Sequence, residues 1–398
     1  MSGFRPARIL VWMCALIAVN QLGFGAIVPV IALYARSFGV PQSAVGAAIA
    51  VYGLARFLVA MPVGKLTDGL GRRAALALGG VVTAAGNLLC AYAPDFATFV
   101  VARFVAGTGA ALVLIAGQIV LADITTPARR GRVMAIYQGV FLFAVGVGPY
   151  PGGLIAERYG LAAPFVLYAL AGIVAAAVAW VQIPDTRTAG VSAADAATPP
   201  PFRAQIRLLA AHAGFLPVSL VGFTSAVVRT GALFNVVPVL ARDRLALGAD
   251  RIGFGLALAS VVGLVLAYPA GILVDRYGRK SVIVPATAAA GLAMLVFLGA
   301  TSYGGFLTGC VAWSVAVGVS GAAPAAYAAD VAPPGMNAAA MSSYRMLSDL
   351  GYVVGPIALG VLTDVLGADA ALATGAALML LAAGLFAWFA PETYRAPR

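Results

Sequence analysis

The chain contains 398 residues, of which 62% are hydrophobic and only 10% are charged, and its formal net charge at pH 7 is +11. Soluble domains contain about 45–50% apolar and about 25% charged residues, so a soluble fold could not cover this much apolar surface. The composition excludes soluble secreted, disordered and nucleic-acid-binding proteins as first interpretations and predicts a polytopic membrane protein.

Twelve apolar runs are long enough for helices that cross a bilayer, which need about 20 residues each. In chain order they lie at 9–34, 43–66, 74–94, 97–122, 132–156, 162–183, 214–240, 251–274, 281–301, 304–329, 338–363 and 369–390. The break after the sixth run is rich in Ala, Ser, Thr and Pro, a composition typical of a mobile linker. We therefore predict an all-α membrane protein with a six-helix half over 1–184, a cytoplasmic linker over 185–212 and a second six-helix half over 213–398.

Basic residues are distributed unequally over the two sides of the predicted membrane. Sixteen Arg and Lys lie toward one side and five toward the other, with four more inside spans. Because cytoplasmic loops carry the excess of Arg and Lys, both termini and the linker are predicted to be cytoplasmic in a multi-pass protein of the cell membrane. The same bias accounts for the net charge without a nucleic-acid partner. The three cysteines lie scattered in apolar runs and predict neither a disulfide framework nor a metal site.

An internal repeat relates the two halves. The segment MPVGKLTDGLGRR at 61–73 recurs as YPAGILVDRYGRK at 268–280, which is 207 residues later. The same offset carries Gly148 and Pro149 onto Gly355 and Pro356. Parallel six-span repeats of this kind predict a substrate site near the middle of the membrane, between the halves.

The repeated segment follows the pattern G-x-x-x-D-x-x-G-R-[RK] and resembles the signature between spans 2 and 3 of the major facilitator superfamily. Its residues are Gly64, Asp68, Gly71, Arg72 and Arg73 in the first copy and Gly271, Asp275, Gly278, Arg279 and Lys280 in the second. We expect the first glycine of each copy to permit close helix contact and the second to allow a tight turn. We expect the basic pair to hold the turn at anionic lipid head groups.

The resemblance implies that each Asp of this motif is part of a conformational latch on the cytoplasmic side. Asp68 would face span 11 and Asp275 would face span 5, each at a helix N-terminus, where the dipole stabilises a carboxylate. The alternative is a short basic turn with an Asp cap and no further role.

Span 4 carries Arg103 at the start of RFVAGTGAA. This segment resembles the span-4 motif R-x-x-Q-G-x-G-A-A of the same superfamily, with Ala106 in place of Gln, and implies a role for Arg103 in proton transfer. The alternative is that Arg103 lies near the outer end of the span and extends its charged group to the interface.

Span 5 carries a G-P-x-x-G-G segment made of Gly148, Pro149, Gly152 and Gly153. It resembles the span-5 signature of the drug:proton antiporter branch and implies export. Proline interrupts the backbone hydrogen bonds of a helix, and glycines four residues apart form a flat face for close packing.

Asp349 is the single acidic residue well inside a predicted span. A carboxylate within the membrane is costly, and the default hypothesis for it is a functional one. It could bind and release a proton during transport, or it could simply neutralise Arg345, which lies four residues earlier on the same helix. Both residues are candidates for proton coupling.

Other polar side chains within spans are candidates for the central cavity. Asn20, followed by Gln21, occupies the position nine residues before Pro29 where many proton-driven relatives carry an acid, so these amides could bind a polar substrate. Arg56 and Arg229 could favour an anionic or zwitterionic substrate, or each could bond a backbone carbonyl. Further candidates are the aromatic residues Tyr52, Tyr137, Phe141, Phe234 and Tyr327, with Gln118 and Gln138 as polar partners. The alternative for the aromatic residues is packing, which is the more frequent role of aromatics at helical spacing.

These observations predict a twelve-span secondary transporter that works by alternating access. No G-x-x-x-x-G-K-[ST] segment is present to bind ATP, so an ion gradient or the substrate gradient must supply the energy. We expect proton-coupled efflux of hydrophobic or amphipathic compounds by a monomer in the lipid bilayer, without cofactor or metal and without enzymatic activity. The alternative is uptake or facilitated diffusion of a polar metabolite. A non-transporting sensor or a lipid-moving protein is less favoured.

Overall fold

The computed structural model describes residues 6–125, 127–186, 208–209, 212–321, 323–332 and 337–393. Over these residues the backbone is almost entirely helical. The helices of the first half are α1 (Pro6–Ile27), α2 (Ile31–Arg36), α3 (Gln42–Leu70), α4 (Arg72–Ala91), α5 (Phe96–Asp123), α6 (Pro127–Val147), α7 (Pro149–Tyr159) and α8 (Ala163–Gln182). Those of the second half are α9 (Phe215–Val227), a π-helix (Val228–Val236), α10 (Val237–Leu245), α11 (Ala249–Tyr277), α12 (Arg279–Leu298), α13 (Tyr303–Ser320), α14 (Ala323–Asp330), α15 (Asn337–Leu366) and α16 (Ala368–Phe389).

Twelve helical stretches within these residues are long and apolar enough to cross a membrane, which confirms the predicted all-α fold of twelve membrane-spanning helices. They are Ala7–Ile27, Gln42–Val59, Arg72–Ala91, Phe96–Asp123, Ile136–Tyr159, Ala163–Gln182, Phe215–Leu245, Ala249–Val274, Arg279–Leu298, Tyr303–Asp330, Ala340–Leu366 and Ala368–Phe389.

Several spans are interrupted where Pro or Gly removes a helical hydrogen bond or allows an unusual backbone conformation. Span 5 divides into α6 and α7 immediately before Pro149, and α10 of span 7 begins at Val237 and Pro238. Span 10 breaks at Gly321, whose φ is +48°, before α14 begins. Because proline has no backbone N–H, it fits the first turn of a helix, where that group would have no partner within the helix. Other prolines lie inside helices, at Pro269 of α11, Pro285 of α12 and Pro356 of α15, as membrane-spanning helices tolerate.

The described residues form two compact units. The first comprises those of Met1–Val40, Ala47–Ala194 and Gly248–Ala257, and the second those of Pro41–Gly46, Asp195–Leu247 and Leu258–Arg398. The first turns of α3 therefore belong to the second unit, and the first turns of α11 belong to the first. The predicted linker, 185–212, falls mostly outside the described residues.

Each unit has its own apolar core. In the first, buried side chains of α1, α4, α5, α6 and α8 pack together, among them Met13, Leu76 and Val113. In the second, buried side chains of α9, α12, α14 and α16 do so, among them Ile283 and Phe386. Gly and Ala lie at many of the contacts between helices and let the helix backbones approach closely. Such close packing stabilises helix association in a membrane, where the hydrophobic effect does not drive it.

Candidate functional site

The turns of the repeated motif adopt a backbone conformation that favours glycine. Gly71 has φ of +97° and Gly278 has φ of +94°, so the expected tight turns are present. The close helix contact expected at Gly271 is absent among the described residues, because a Cβ added there would have no heavy atom within 4 Å. The environment of Gly64 and the side chains of Asp68 and Asp275 lie outside what the structure describes, so their latch role stays a prediction.

Arg72, the first residue of α4, is held by acidic residues. Its Nε donates to Oδ2 of Asp123 at 3.0 Å, and its backbone N–H donates to Oδ1 of Asp185 at 3.2 Å. The hydroxyl of Thr186 donates to the same Asp123 oxygen at 2.8 Å. This cluster joins the start of α4 to the end of α5 and to the segment that follows α8.

The second unit repeats this cluster 207 residues later. Arg279 Nε donates to Asp330 Oδ2 at 3.1 Å, and the Arg279 backbone N–H donates to Glu392 Oε1 at 3.1 Å. The Thr393 hydroxyl donates to Asp330 Oδ2 at 3.3 Å. Every member of the first cluster therefore has a counterpart of the same charge or hydrogen-bonding type in the second.

These bonds give the basic turns partners within the protein, and the expected contact of the basic residues with lipid head groups stays a prediction. The guanidinium groups of Arg72 and Arg279 donate to carboxylates, and Arg73 Nε donates to the carbonyl of Ile183 at 2.8 Å. Lys280 donates its backbone N–H to Glu392 at 3.1 Å. The side chains of Arg72, Arg73 and Arg279 are thus hydrogen-bonded within the protein.

Sequence reasoning assigned Asp185 to the linker and Glu392 to the region beyond the last span, and so missed this part of the cluster. A signal was present, because Pro184-Asp185-Thr186 and Pro391-Glu392-Thr393 also recur at the 207-residue offset. The sequence could not show that these segments join a cluster, because they meet Asp123 and Asp330 at the basic turns only through tertiary contacts.

The span-5 glycines are close-packing positions in the first unit. A Cβ on Gly148 would collide with the backbone of Gly25, and a Cβ on Gly152 with Ala26, so α7 lies tightly against α1. A Cβ on Gly153 would collide with the carbonyl of Ala249. The Ala249 backbone N–H, at the start of α11, donates to Glu157 Oε2 at 3.0 Å.

The second unit contains the same arrangement between α15 and the first turn of α3. A Cβ on Gly360 would lie 2.6 Å from the carbonyl oxygen of Gln42. The backbone N–H groups of Gln42 and Ser43 donate to the two oxygens of Asp364 at 2.7 and 2.8 Å. The Gln42 side chain also donates to Asn235 Oδ1 at 2.8 Å. Gly360 and Asp364 lie 207 residues after Gly153 and Glu157.

Arg103 of span 4 lies in a buried aromatic cluster of the first unit. It is 1% exposed, its guanidinium carbon lies 4.4 Å from the ring centre of Tyr52, and its Nε donates to the carbonyl of Ala48 at 3.4 Å. The Tyr52 and Tyr168 hydroxyls lie 3.3 Å apart. This burial excludes the alternative in which Arg103 reaches the interface, and its Nη1 has no hydrogen-bond partner among the described residues.

The amides of span 1 are buried in the same unit. Gln21 Nε2 donates to Asn20 Oδ1 at 3.2 Å, and Asn20 Nδ2 has no partner within the described part of the chain. Arg56 is half-buried, one turn after Tyr52. Their predicted role in a central cavity stays a prediction.

Tyr137 and Tyr327 are not cavity residues in this structure. Tyr137 is fully buried in the apolar core of the first unit. Tyr327 is fully buried in the core of the second, where its hydroxyl donates to the carbonyl of Pro391 at 2.6 Å. The packing alternative therefore holds for both, whereas Gln118 is exposed and Gln138 is half-buried.

Asp349 and Arg345 are both exposed on α15. Neither makes a hydrogen bond or an ion pair to any other described residue, so they do not neutralise each other by direct contact in this structure. Asp349 lies seven residues before Pro356 and eleven residues before Gly360. On an α-helix, each of these two residues points in a direction within about 20° of that of Asp349. Since Pro356 and Gly360 pack on Gly46 and Gln42 of the second unit, Asp349 shares a face that contacts protein.

Arg229 lines a cavity of about 210 Å³ in the second unit, with a lining that is partly polar and partly apolar. The arginine is exposed, lies near the middle of span 7, and belongs to the nine-residue π-helix Val228–Val236. Side chains from α9, α12, α13, α15 and α16 complete the wall, including Ser225, Thr287, Trp313, Tyr344 and Ser348. A larger cavity of about 650 Å³ between α11, α12 and α13 has an almost wholly apolar lining, as expected of a groove that lipid chains fill.

Comparison with known proteins identifies the class to which this architecture belongs. The sequence matches the model of the Major Facilitator Superfamily over residues 13–248 and 218–398. The chain therefore belongs to the Major Facilitator Superfamily, whose members are transporters and not enzymes.

Individual relatives are distant. The uncharacterized MFS-type transporter MJ1560 of Methanocaldococcus jannaschii is 23% identical over 87% of this chain and 89% of its own length. The multidrug resistance protein MdtL of Shewanella oneidensis is 24% identical over 72% of this chain and 73% of its own. The crystal structure of a D-xylose–proton symporter has a TM-score of 0.75 at 17% identity and covers 97% of this chain and 99% of that one, which shows a shared fold.

Proposed function

We propose that this transporter exports hydrophobic or amphipathic compounds in exchange for protons, as a monomer in the cell membrane with both termini in the cytoplasm. The observation that carries the proposal is the position of Asp349. It is a carboxylate within a membrane span, and it has no hydrogen-bond or ion-pair partner among the residues that the structure describes. It lies on the helix face that packs against protein at Pro356 and Gly360.

An acidic side chain in this position can exchange a proton as its surroundings alternate between wet and dry. A carboxylate on a lipid-facing surface would be costly, whereas one on a protein-contacting face can be reached by water during transport. Burial disfavours the charged form of a carboxyl group, and hydration favours it, so alternating access couples proton binding to the conformational cycle.

Two further observations support export. The span-5 residues Gly148, Pro149, Gly152 and Gly153 resemble the antiporter signature, and all three glycines have backbone neighbours too close for any side chain. MdtL, which matches most of this chain, is named as a multidrug resistance protein.

The proposal is tested in proteoliposomes that enclose a pH-sensitive dye. Addition of a panel of amphipathic compounds to the wild type is expected to move protons in the direction opposite to the compound. Asp349→Asn should abolish this proton movement while leaving a folded, monodisperse protein. Asp369→Asn is the matched control, because Asp369 lies in the first turn of α16 and pairs with Arg244 at 2.6 Å. Coupling that persists in Asp349→Asn would refute the assignment.

A second candidate is the uptake of a polar metabolite. It is favoured by the buried, unpartnered Nδ2 of Asn20, which could donate to a hydroxyl or carbonyl of a polar substrate. Under this alternative, cells that produce the protein would accumulate a labelled polar solute, and Asn20→Leu would reduce the accumulation. Exclusion of amphipathic dyes from the same cells would favour export.

A further inference from the structure

The cavity at Arg229 contains a positive charge near the middle of span 7 that has no acidic partner among the described residues. A guanidinium stays protonated at any physiological pH, and its placement inside a span is costly unless an anion or a hydrated cavity compensates it. Arg229 makes no ion pair with any acidic residue in the described part of the chain. The cavity therefore offers a permanent cation without a resident counter-ion.

The backbone around this cavity is irregular in two spans. Arg229 lies in a nine-residue π-helix, and π-helical segments are rare and occur frequently at functional sites. Span 10 breaks at Gly321, and Ser320, Gly321 and Pro324 all line the same cavity. In other transporters, the N-termini of half-helices in broken spans face anionic substrate groups, because the helix dipole places partial positive charge there. At the break in span 10, α13 ends at Ser320 and α14 begins at Ala323, so the cavity receives both a helix C-terminus and a helix N-terminus, and its net positive charge comes from Arg229.

The remaining lining is suited to a small head group attached to an apolar body. Hydroxyl groups of Ser225, Thr287 and Tyr344 can donate hydrogen bonds, and the indole of Trp313 provides an apolar wall. The volume of about 210 Å³ is smaller than the 300–1,000 Å³ that is typical of a pocket for a drug-sized molecule. The cavity can accept part of such a molecule and not the whole of it.

We propose that this cavity is the subsite for the carboxylate head group of an amphipathic organic anion, with Arg229 as its charged ligand. The inference rests on the proposed transport function and narrows its substrate class. An Arg–carboxylate contact can be bidentate, with two parallel N–H···O bonds, which orients the anion as well as binding it. The apolar body of the substrate would extend past Trp313.

The test compares benzoate with benzamide, which has nearly the same shape and no charge. Purified protein in lipid nanodiscs is titrated with each compound, and binding is followed by calorimetry. We expect the wild type to bind benzoate at least tenfold more tightly than benzamide, because only benzoate can form the charge-assisted pair.

Substitutions then assign the selectivity to Arg229. Arg229→Gln should weaken benzoate binding at least tenfold and leave benzamide binding unchanged, and Arg229→Lys should retain part of the preference. The control is Arg242→Gln, since Arg242 is an exposed arginine of α10 that donates to the carbonyl of Leu247 at 3.4 Å. It should bind both compounds as the wild type does.

Two results would overturn the subsite. One is equal binding of benzoate and benzamide by the wild type, which requires no variant to fold. The other is undiminished benzoate binding by folded Arg229→Gln. Neither measurement depends on proton coupling. Either result would refute the anion subsite and would not affect the proposed proton exchange at Asp349. Conversely, absence of proton exchange would not affect charge-selective binding at Arg229.

Discussion

Asp364 receives two backbone N–H groups from the first turn of α3, and its removal is expected to weaken the second unit. The distances are 2.7 Å to the Gln42 nitrogen and 2.8 Å to the Ser43 nitrogen, both short enough for charge-assisted bonds. The first N–H groups of a helix have no partner within the helix, so a carboxylate there satisfies donors and also interacts with the helix dipole. Asp364→Asn keeps one acceptor oxygen and loses the charge.

The cost follows from these contacts. Loss of a helix cap costs about 0.5–2 kcal/mol, and a charge at a helix N-terminus contributes about 0.3–1 kcal/mol. Because Asp364 is exposed, solvent and salt screen the interaction, and the lower part of the combined range applies. We expect Asp364→Asn to lose about 1 kcal/mol, which for a unit of this size lowers Tm by about 2–4 °C.

Two measurements check this prediction. Thermal unfolding in detergent gives the loss of Tm, and hydrogen exchange of the peptide that contains Gln42 and Ser43 reports the released amides directly. Glu157→Gln is the graded comparison, because Glu157 receives one N–H, from Ala249 at 3.0 Å, and should lose less. An unchanged exchange rate at Gln42 and Ser43 in Asp364→Asn, or a larger loss of Tm in Glu157→Gln, would refute the reasoning.

Two further predictions concern groups at the ends of spans. Arg72→Gln should destabilise the protein more than Arg279→Gln does, by about 1 kcal/mol or more, because solvent screens exposed ion pairs. The side chains of Arg72 and Asp123 are only 11% and 13% exposed, whereas those of Arg279 and Asp330 are 22% and 38% exposed. Equal losses of Tm in the two variants would contradict this prediction. The backbone N–H of Thr98 donates to Asp95 at 2.8 Å and holds the pKa of that carboxyl below its ordinary value. The stabilisation of the folded state by this cap is therefore present at neutral pH and is lost as pH falls from about 4 through the lowered folded-state pKa. The difference in Tm between the wild type and Asp95→Ala should therefore shrink on acidification over this range, and a difference that grows would count against the cap.

Features that depend on local chemistry were predictable from the sequence. Hydropathy located the twelve spans, because a helix that faces lipid must be apolar over a length set by the bilayer. The repeat located equivalent positions in the two halves. The turn conformations at Gly71 and Gly278 also followed, since a left-handed backbone between two helices favours glycine.

Features that depend on how the helices rotate and pack were not predictable. The sequence identified Arg72 and Arg279 but not their carboxylate partners, which lie 51 residues away at the ends of other helices. It suggested Tyr137 for a cavity, whereas the rotation of α6 places that ring in the apolar core. A hydropathy pattern shows that a side chain is within the membrane and does not show which neighbour it faces.

The sequence by itself therefore determined the class of protein, the number of spans, the internal repeat and the scarcity of charge within the spans. Only the tertiary structure decided which of those charged side chains contact other side chains. Arg103 is stacked on Tyr52 and buried, whereas Arg229 and Asp349 are exposed without a described partner. The physical reason is that the energy of a charge in a membrane protein depends on its immediate surroundings, and those surroundings come from helices distant in sequence.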